Sequence, residues 1–104
     1  MAKVTQQDRP ARREAAGAVD IAVAALTFLA GDPEQIGRFL AISGADIGDL
    51  RAMSRDPAFL GAVLDFLCED EELLITFARA ESTTPEIVDQ AREALNGRWE
   101  RDEA

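Results

Sequence analysis

Histidine and tyrosine are absent from this chain of 104 residues, and there is one cysteine, Cys68. Without histidine the chain lacks the commonest general base near neutral pH, and Cys68 has no histidine partner to activate its thiol. The patterns GxSxG, GxGxxG and the P-loop, which mark common catalytic and nucleotide sites, are also missing. We therefore predict no catalytic residue, no cofactor-binding residue and no enzymatic activity.

The same shortage removes the nitrogen and sulfur ligands that transition metals prefer. Carboxylates are plentiful, and residues 69–72 read Glu-Asp-Glu-Glu. Calcium loops of the EF-hand type need the order D-x-D-x-D-G, which this run lacks, and consecutive residues of a helix point in different directions. We interpret the run as the acidic start of a helix and predict no metal site.

A lone cysteine allows no internal disulfide bond, which is typical of proteins in a reducing cytosol. The N-terminus shows no secretory signal pattern. The longest apolar run, Ile21–Ala30, is about half as long as a helix that spans a bilayer. The sequence therefore predicts a cytoplasmic protein that does not enter a membrane.

Basic residues are scarce, since 11 Lys and Arg stand against 20 Asp and Glu for a net charge of −9. Residues 1–14 carry four basic and two acidic side chains, a net +2, whereas the remainder carries 7 basic and 18 acidic, a net −11. Such an acidic body repels phosphate and makes nucleic-acid binding unfavourable. We predict a disordered tail over residues 1–9, although this basic head could contact an acidic surface.

Residues that typically start and end helices, by contrast, are abundant, and strand patterns are nearly missing. Asp32, Asp46, Asp56, Asp70 and Thr84 each stand where a side chain can cap the start of a helix. The predicted helices cover residues 10–30, 33–43, 47–54, 57–68, 71–80 and 85–96.

The expected fold is all-α: a compact bundle of about six short helices around a central apolar helix. The second half of the first helix is apolar on every side, so we expect it to be that central helix. Gly31 in a left-handed conformation, Gly44 and Gly97 are predicted to end the first, second and sixth helices. The single domain then covers residues 10–97, with a polar tail at 98–104. The residues predicted to face inward on the five later helices are Ile36, Phe39, Leu40, Ser43, Ile47, Leu50, Met53, Phe59, Leu60, Val63, Leu64, Leu67, Leu73, Leu74, Phe77, Ala78, Ile87, Val88, Ala91, Ala94 and Leu95.

Two stretches are nearly the same, DPEQIGRFL at 32–40 and DPAFLGAVL at 56–64. We interpret both as helix starts, with a capping Asp and a first-turn Pro, rather than as a repeated site. Gly37 and Gly61 each lower helix stability by about 1 kcal/mol relative to Ala, so we expect another helix to approach closely there. The predicted neighbour is the apolar second half of the first helix, and a glycine that faced solvent instead would mark a place to seek a partner.

The stretches LTFLAGDPEQIGRFLAISGADIGDLR (26–51) and DPAFLGAVLDFLCEDEELLITFA (56–78) carry a resemblance. From about Val19 to Leu95 the chain resembles an uncharacterised family of small alphaproteobacterial helical proteins, domain-of-unknown-function family 3572. The resemblance implies an all-helical cytoplasmic protein and carries no catalytic residue.

The main functional hypothesis is a small acidic module for protein–protein interaction, which could include self-association. An apolar face left over after the core closes would form the interacting surface. Ile75 lies off the apolar stripe of its helix, and Trp99 could either cover the end of the sixth helix or anchor a partner. The predicted partner-binding residues are Phe59, Leu60, Leu74, Ile75 and Trp99.

Two alternatives remain open at this point. The second and third predicted helices, joined by the turn SGAD, have about the lengths of a helix-turn-helix, with Arg51 and Arg55 on the candidate recognition helix. Together with the basic head this would suit a nucleic-acid-associated regulator. The other alternative is a small-molecule sensor with an apolar pocket inside the bundle.

Overall fold

The computed structural model describes residues 17–103, and it describes side chains for residues 17–96. All regular structure within this part of the chain is helical, which confirms the all-α prediction. The helices are α1 (17–30), α2 (Pro33–Ser43), a 3-10 turn (Ile47–Asp49), α3 (Leu50–Met53), α4 (Pro57–Glu69), α5 (Glu71–Ala80) and α6 (Pro85–Glu103). Pro10 and the predicted first turns of the first helix lie outside the described residues.

Most of the predicted helix starts are confirmed by side-chain hydrogen bonds. The carboxylate of Asp32 accepts from the N–H groups of residues 34 and 35 at 3.1 and 3.3 Å. Asp56, Asp70 and Thr84 accept in the same way from residues 58, 73 and 87 at 3.0, 3.2 and 3.2 Å. The prediction for Asp46 is wrong, because its side chain makes no capping bond. Its backbone carbonyl instead accepts from the N–H of Asp49 at 2.9 Å and closes a 3-10 turn.

Three predicted helix ends have different outcomes. Gly44 is left-handed (φ 76°), and its N–H donates to the carbonyl of Leu40 at 2.9 Å, which ends α2 as predicted. Gly31 follows the end of α1 but is not left-handed; its N–H is shared between the carbonyls of residues 27 and 28 at 3.2 and 3.3 Å. Gly97 does not end α6, whose backbone continues to Glu103.

The centre of the bundle is α4 rather than α1. Six of the 13 residues of α4 are buried, and this helix packs against α2, α5 and α6. The prediction that α1 is buried from several sides is wrong, since Asp20, Val23, Thr27 and Ala30 form an exposed side. The buried residues of α4 are Phe59, Leu60, Gly61, Val63, Leu64 and Leu67.

Aromatic contacts connect the outer helices to this centre. On α2, Phe39 lies edge-on to Phe59 and Phe66 of α4, with ring centroids 5.6 and 5.4 Å apart. On α1, Phe28 meets Phe77 of α5 in the same geometry at 5.3 Å. Edge-to-face pairs at such distances are favourable beyond the area they bury, so they fix the orientation of α1 and α2.

Some residues predicted to face inward are exposed. Ile47 is 64% exposed because it begins a 3-10 turn and not an α-helix, whereas Leu50 and Met53 of the same predicted stripe are half-buried against the core. Ser43 is exposed at the last turn of α2, and Ile87 lies beside the stripe of Val88, Ala91 and Leu95 that α6 turns to the core.

Candidate functional site

The four predicted partner-binding residues whose side chains the structure describes do not form one surface. Phe59 and Leu60 are only 6% and 1% exposed, because they belong to the same α4 face as the rest of the core. They offer no side chain to a partner in this structure, which corrects that part of the prediction. On α5, Leu74 is half-buried and Ile75 is 36% exposed. The side chain of Trp99 lies outside the described side chains, so its predicted role stays a prediction.

A more exposed apolar feature lies at the end of α2. Ile42 is 72% exposed and Ile47 is 64% exposed, on either side of the turn at 44–46. We call Ile42, this turn and Ile47 the α2 corner. The sequence held a signal for Ile42, since it falls off the apolar stripe of its helix as Ile75 does. Ile47 could not be found this way, because the 3-10 geometry is not visible in the spacing.

The two glycines of the repeated stretches have opposite surroundings. Gly61 is buried, and a Cβ built on it would collide with the amide oxygen of Asn96 and lie 3.1 Å from that amide carbon. The close neighbour is therefore α6, not α1 as predicted. Gly37 is exposed, and nothing lies within 4 Å of a Cβ built there. Because a glycine that faces solvent marks a place to seek a partner, α2 is a candidate contact surface.

The recognition helix predicted for the helix-turn-helix does not form over residues 47–54. A 3-10 turn replaces the first part of the predicted third helix, and α3 has only four residues. Arg51 and Arg55 are exposed, but Asp46 and Asp49 are exposed beside them. A helix of four residues is about 6 Å long, which is too short to carry several base contacts in a major groove.

Polar side chains meet where α4 packs on α6. Arg92 donates to Asp89 from Nε and Nη2 at 2.9 and 2.7 Å, and its Nη1 lies 3.7 Å from Asp65. Asn96 donates to the same Asp65 oxygen at 3.2 Å. The hydrogen bond to Asp89 holds the pKa of Arg92 above its ordinary value. The cluster joins two helices and presents no activated group to a substrate.

Cys68 lies next to this cluster and is half-buried. Burial raises the pKa of its thiol above the ordinary value, and the nearby Arg92 offsets only part of that rise. The thiolate is the reactive form, so Cys68 is a poor nucleophile at neutral pH.

The acidic run at 69–72 acts as the start of α5. Asp70 caps the helix, while Glu69, Glu71 and Glu72 are exposed. Within the described part of the chain, no three His, Cys, Asp or Glu residues come close enough to hold a metal ion.

A shallow depression lies between α1 and α5. Its volume is about 170 Å³, below the roughly 300–1,000 Å³ typical of small-molecule sites, so the sensor alternative gains no support from it. Three apolar and three polar residues line it: Ile21, Ala24, Phe77, Asp20, Glu81 and Thr83. We call it the α1/α5 depression. Separately, no helix among the described residues is both long enough and apolar enough to cross a membrane.

Comparison with known protein families gives a match over most of the chain. The model of a family described as "protein of unknown function (DUF3572)" matches residues 15–98, so the chain belongs to this family. This confirms the resemblance over Val19 to Leu95 and extends it by a few residues at each end. No curated protein and no solved structure matches the chain.

Proposed function

We propose that this DUF3572 protein is a small acidic helical module for protein–protein interaction, without catalytic activity. The observation that carries the proposal is the α2 corner, where Ile42 and Ile47 are the two most exposed of the large apolar side chains among the described residues. Exposing such side chains to water is unfavourable, and burying one against a partner is worth about 1.5–3 kcal/mol. The composition adds support, since a chain without histidine lacks the usual general base.

The outer face of α2 is continuous with this corner along the chain. Gly37 and Ala41 are small and exposed, and Gly37 has no neighbour over it. Small residues on an exposed helix face let another backbone approach closely. The contact would take the form of a partner helix or loop laid against α2, with Ile42 as an apolar anchor.

The test combines affinity capture from the native cell with sedimentation at tens of micromolar. Ile42→Glu/Ile47→Glu alters the α2 corner, and Val23→Glu/Ile87→Glu is the matched control because it adds the same charge at exposed apolar positions of α1 and α6. We expect the wild type and the control to retain the same partner or the same dimer, and the corner variant to lose it.

Two results would refute the proposal. One is a wild-type protein that stays monomeric and retrieves no protein. The other is a partner that both double variants retain equally, because the α2 corner would then play no part. Ile75→Glu serves as a separate variant for the α5 residues that the sequence predicted.

A further inference from the structure

The α1/α5 depression combines an apolar lining with exposed negative charge. Phe77 is fully buried beneath it, and Ile21 and Ala24 are half-buried. Asp20 and Glu81 are exposed and supply two carboxylates. Among the described residues, every ion pair involves Arg92 on α6, so neither of these carboxylates has a basic partner there.

This lining suits one long cationic side chain. Arginine and lysine bury their methylene stems against apolar surface while the charged head stays near water. A guanidinium also donates several hydrogen bonds in one plane, which allows it to engage two carboxylates. The volume of about 170 Å³ is small for a complete ligand but adequate for a single side chain.

The chain itself supplies such side chains close by. Residues 1–16 join α1 at Gly17, three positions before Asp20. This segment contains Lys3 and three arginines at 9, 12 and 13, and its net positive charge is opposite to that of the body. An extended chain spans about 3.3–3.6 Å per residue, so length does not prevent the segment from reaching the depression. Covalent connection also gives a high effective concentration.

We propose that the α1/α5 depression is a docking site for an arginine side chain from residues 9–13 of the same chain. Its stem lies over Ile21, Ala24 and Phe77, and its guanidinium lies beside Asp20 and Glu81. The proposal shares no residue with the α2 corner and can fail or succeed independently of the proposed function. A cationic segment of another protein would compete for the same site.

Nuclear magnetic resonance of the full chain tests this directly. The variant Arg9→Gln/Arg12→Gln/Arg13→Gln removes the arginines, and Arg38→Gln/Arg51→Gln/Arg55→Gln is a control with the same change in net charge. Thr83 is the informative reporter because it is remote from the N-terminus in sequence. We expect the first variant to shift the Thr83 and Ala24 resonances and the control to leave them unchanged. Equal shifts in both variants, or none, would overturn the proposal.

A spin label gives a second measurement that does not depend on chemical shift. With Cys68→Ala, a nitroxide on Thr5→Cys should broaden Thr83 strongly and Ile42 little. Adding Asp20→Asn/Glu81→Gln should remove the broadening, while Glu71→Gln/Glu72→Gln, a control at exposed carboxylates of α5, should not. Equal broadening of Thr83 with and without Asp20 and Glu81 would contradict the assigned contact.

Arginine methyl ester distinguishes whether the docked arginine comes from residues 9–13 of this chain or from another protein. Added to the triple N-terminal variant, it should restore the wild-type Thr83 position, whereas the ester of citrulline, which has a neutral side chain of similar shape and the same α-amine, should not. If the ester instead shifts Thr83 equally in the wild type and the triple variant, the site is open and its occupant belongs to another protein, which overturns the assignment to residues 9–13. If the ester shifts nothing, the depression is not an arginine site.

Discussion

The helices α2 and α4 begin alike and end up in different places. Each has a capping Asp, a Pro in the first turn, a Gly five positions after the Asp, and a Leu three positions after that Gly. In α4 the Gly and the Leu are buried at the centre of the bundle, whereas in α2 the Gly faces solvent and the Leu is half-buried. The shared stretch therefore determines where a helix starts but not how deeply it packs.

The difference arises from the residues between the shared positions. In α4 these are apolar (Phe59, Leu60, Val63), so nearly the whole circumference can be buried. In α2 the charged residues Glu34 and Arg38 are exposed and lie away from the apolar stripe of the helix, which keeps that side largely in water. The charged residues of α2 therefore indicate its exposed side, on which Ile42 lies.

The largest expected effect is the loss of stability on truncating the leucines at equivalent positions of the two helices, Leu64 in α4 and Leu40 in α2. Leu64→Ala should lower the free energy of unfolding by about 3–4 kcal/mol, because Leu64 is fully buried and its truncation leaves a cavity. Leu40→Ala, at the same register in α2, should cost only about 1–2 kcal/mol, because Leu40 is half-buried. Urea unfolding monitored by circular dichroism measures both. Equal losses would remove the distinction between the two helices.

The equivalent glycines should change stability in opposite directions. Gly37→Ala should stabilise by up to about 1 kcal/mol, since alanine is the better helix former and its Cβ meets nothing. Gly61→Ala should destabilise by about 1 kcal/mol, because its Cβ displaces the side chain of Asn96, which overpacks the α4–α6 contact.

A double-mutant cycle checks the cause. In an Asn96→Ala background, Gly61→Ala has no amide to displace and should no longer destabilise. If the penalty stays the same in this background, something other than Asn96 makes Gly61 necessary. Thermal or urea unfolding of the four proteins gives the coupling energy.

The capping residues of α2 and α4 should contribute about equally to stability, because both helices begin in the same way. Asp32→Ala removes two hydrogen bonds to the first turn and Asp56→Ala removes one, and each variant should cost about 1 kcal/mol. Asp46→Ala is the control, because the Asp46 side chain makes no such bond, and it should change stability little. A loss at Asp46 as large as at the other two would show that these costs do not come from capping.

The smallest expected effect is local and concerns the rate at which the thiol of Cys68 is alkylated. Its pKa is raised mainly by burial, so at a given pH less of it is thiolate than in an unfolded peptide. Alkylation by iodoacetamide should therefore be slower than for a free cysteine peptide, and its rate should rise at a higher pH. An alkylation rate that rises at the same pH as in the peptide, or at a lower pH, would contradict the burial of Cys68.

What the sequence could predict was mostly local. The bonds of Asp32, Asp56 and Asp70 span two or three residues, so their positions follow from nearby composition. The centre of the bundle could not be found this way, because α1 and α4 are both rich in apolar residues and only packing decides between them. Likewise Gly37 and Gly61 hold the same position in the shared stretch but have different surroundings in space.

The candidate surface shows the same limit. Phe59 and Leu60 were predicted both for the core face and for the partner surface, and the structure places them in the core. Ile75 was found because it lies off an apolar stripe, and the same reasoning applied to α2 identifies Ile42. The exposure of Ile47 depends on a 3-10 turn that forms when Asp46 closes it through its backbone carbonyl.

Native-state hydrogen exchange measures most directly whether α4 is the centre and α2 an outer element. The amides of Val63, Leu64 and Leu67 should exchange only through global unfolding, with an opening free energy equal to that from urea denaturation. The amides of Phe39 and Leu40 should open at a clearly lower free energy, because one side of their helix contacts only water. Equal protection of both helices, or stronger protection of α2, would contradict this account.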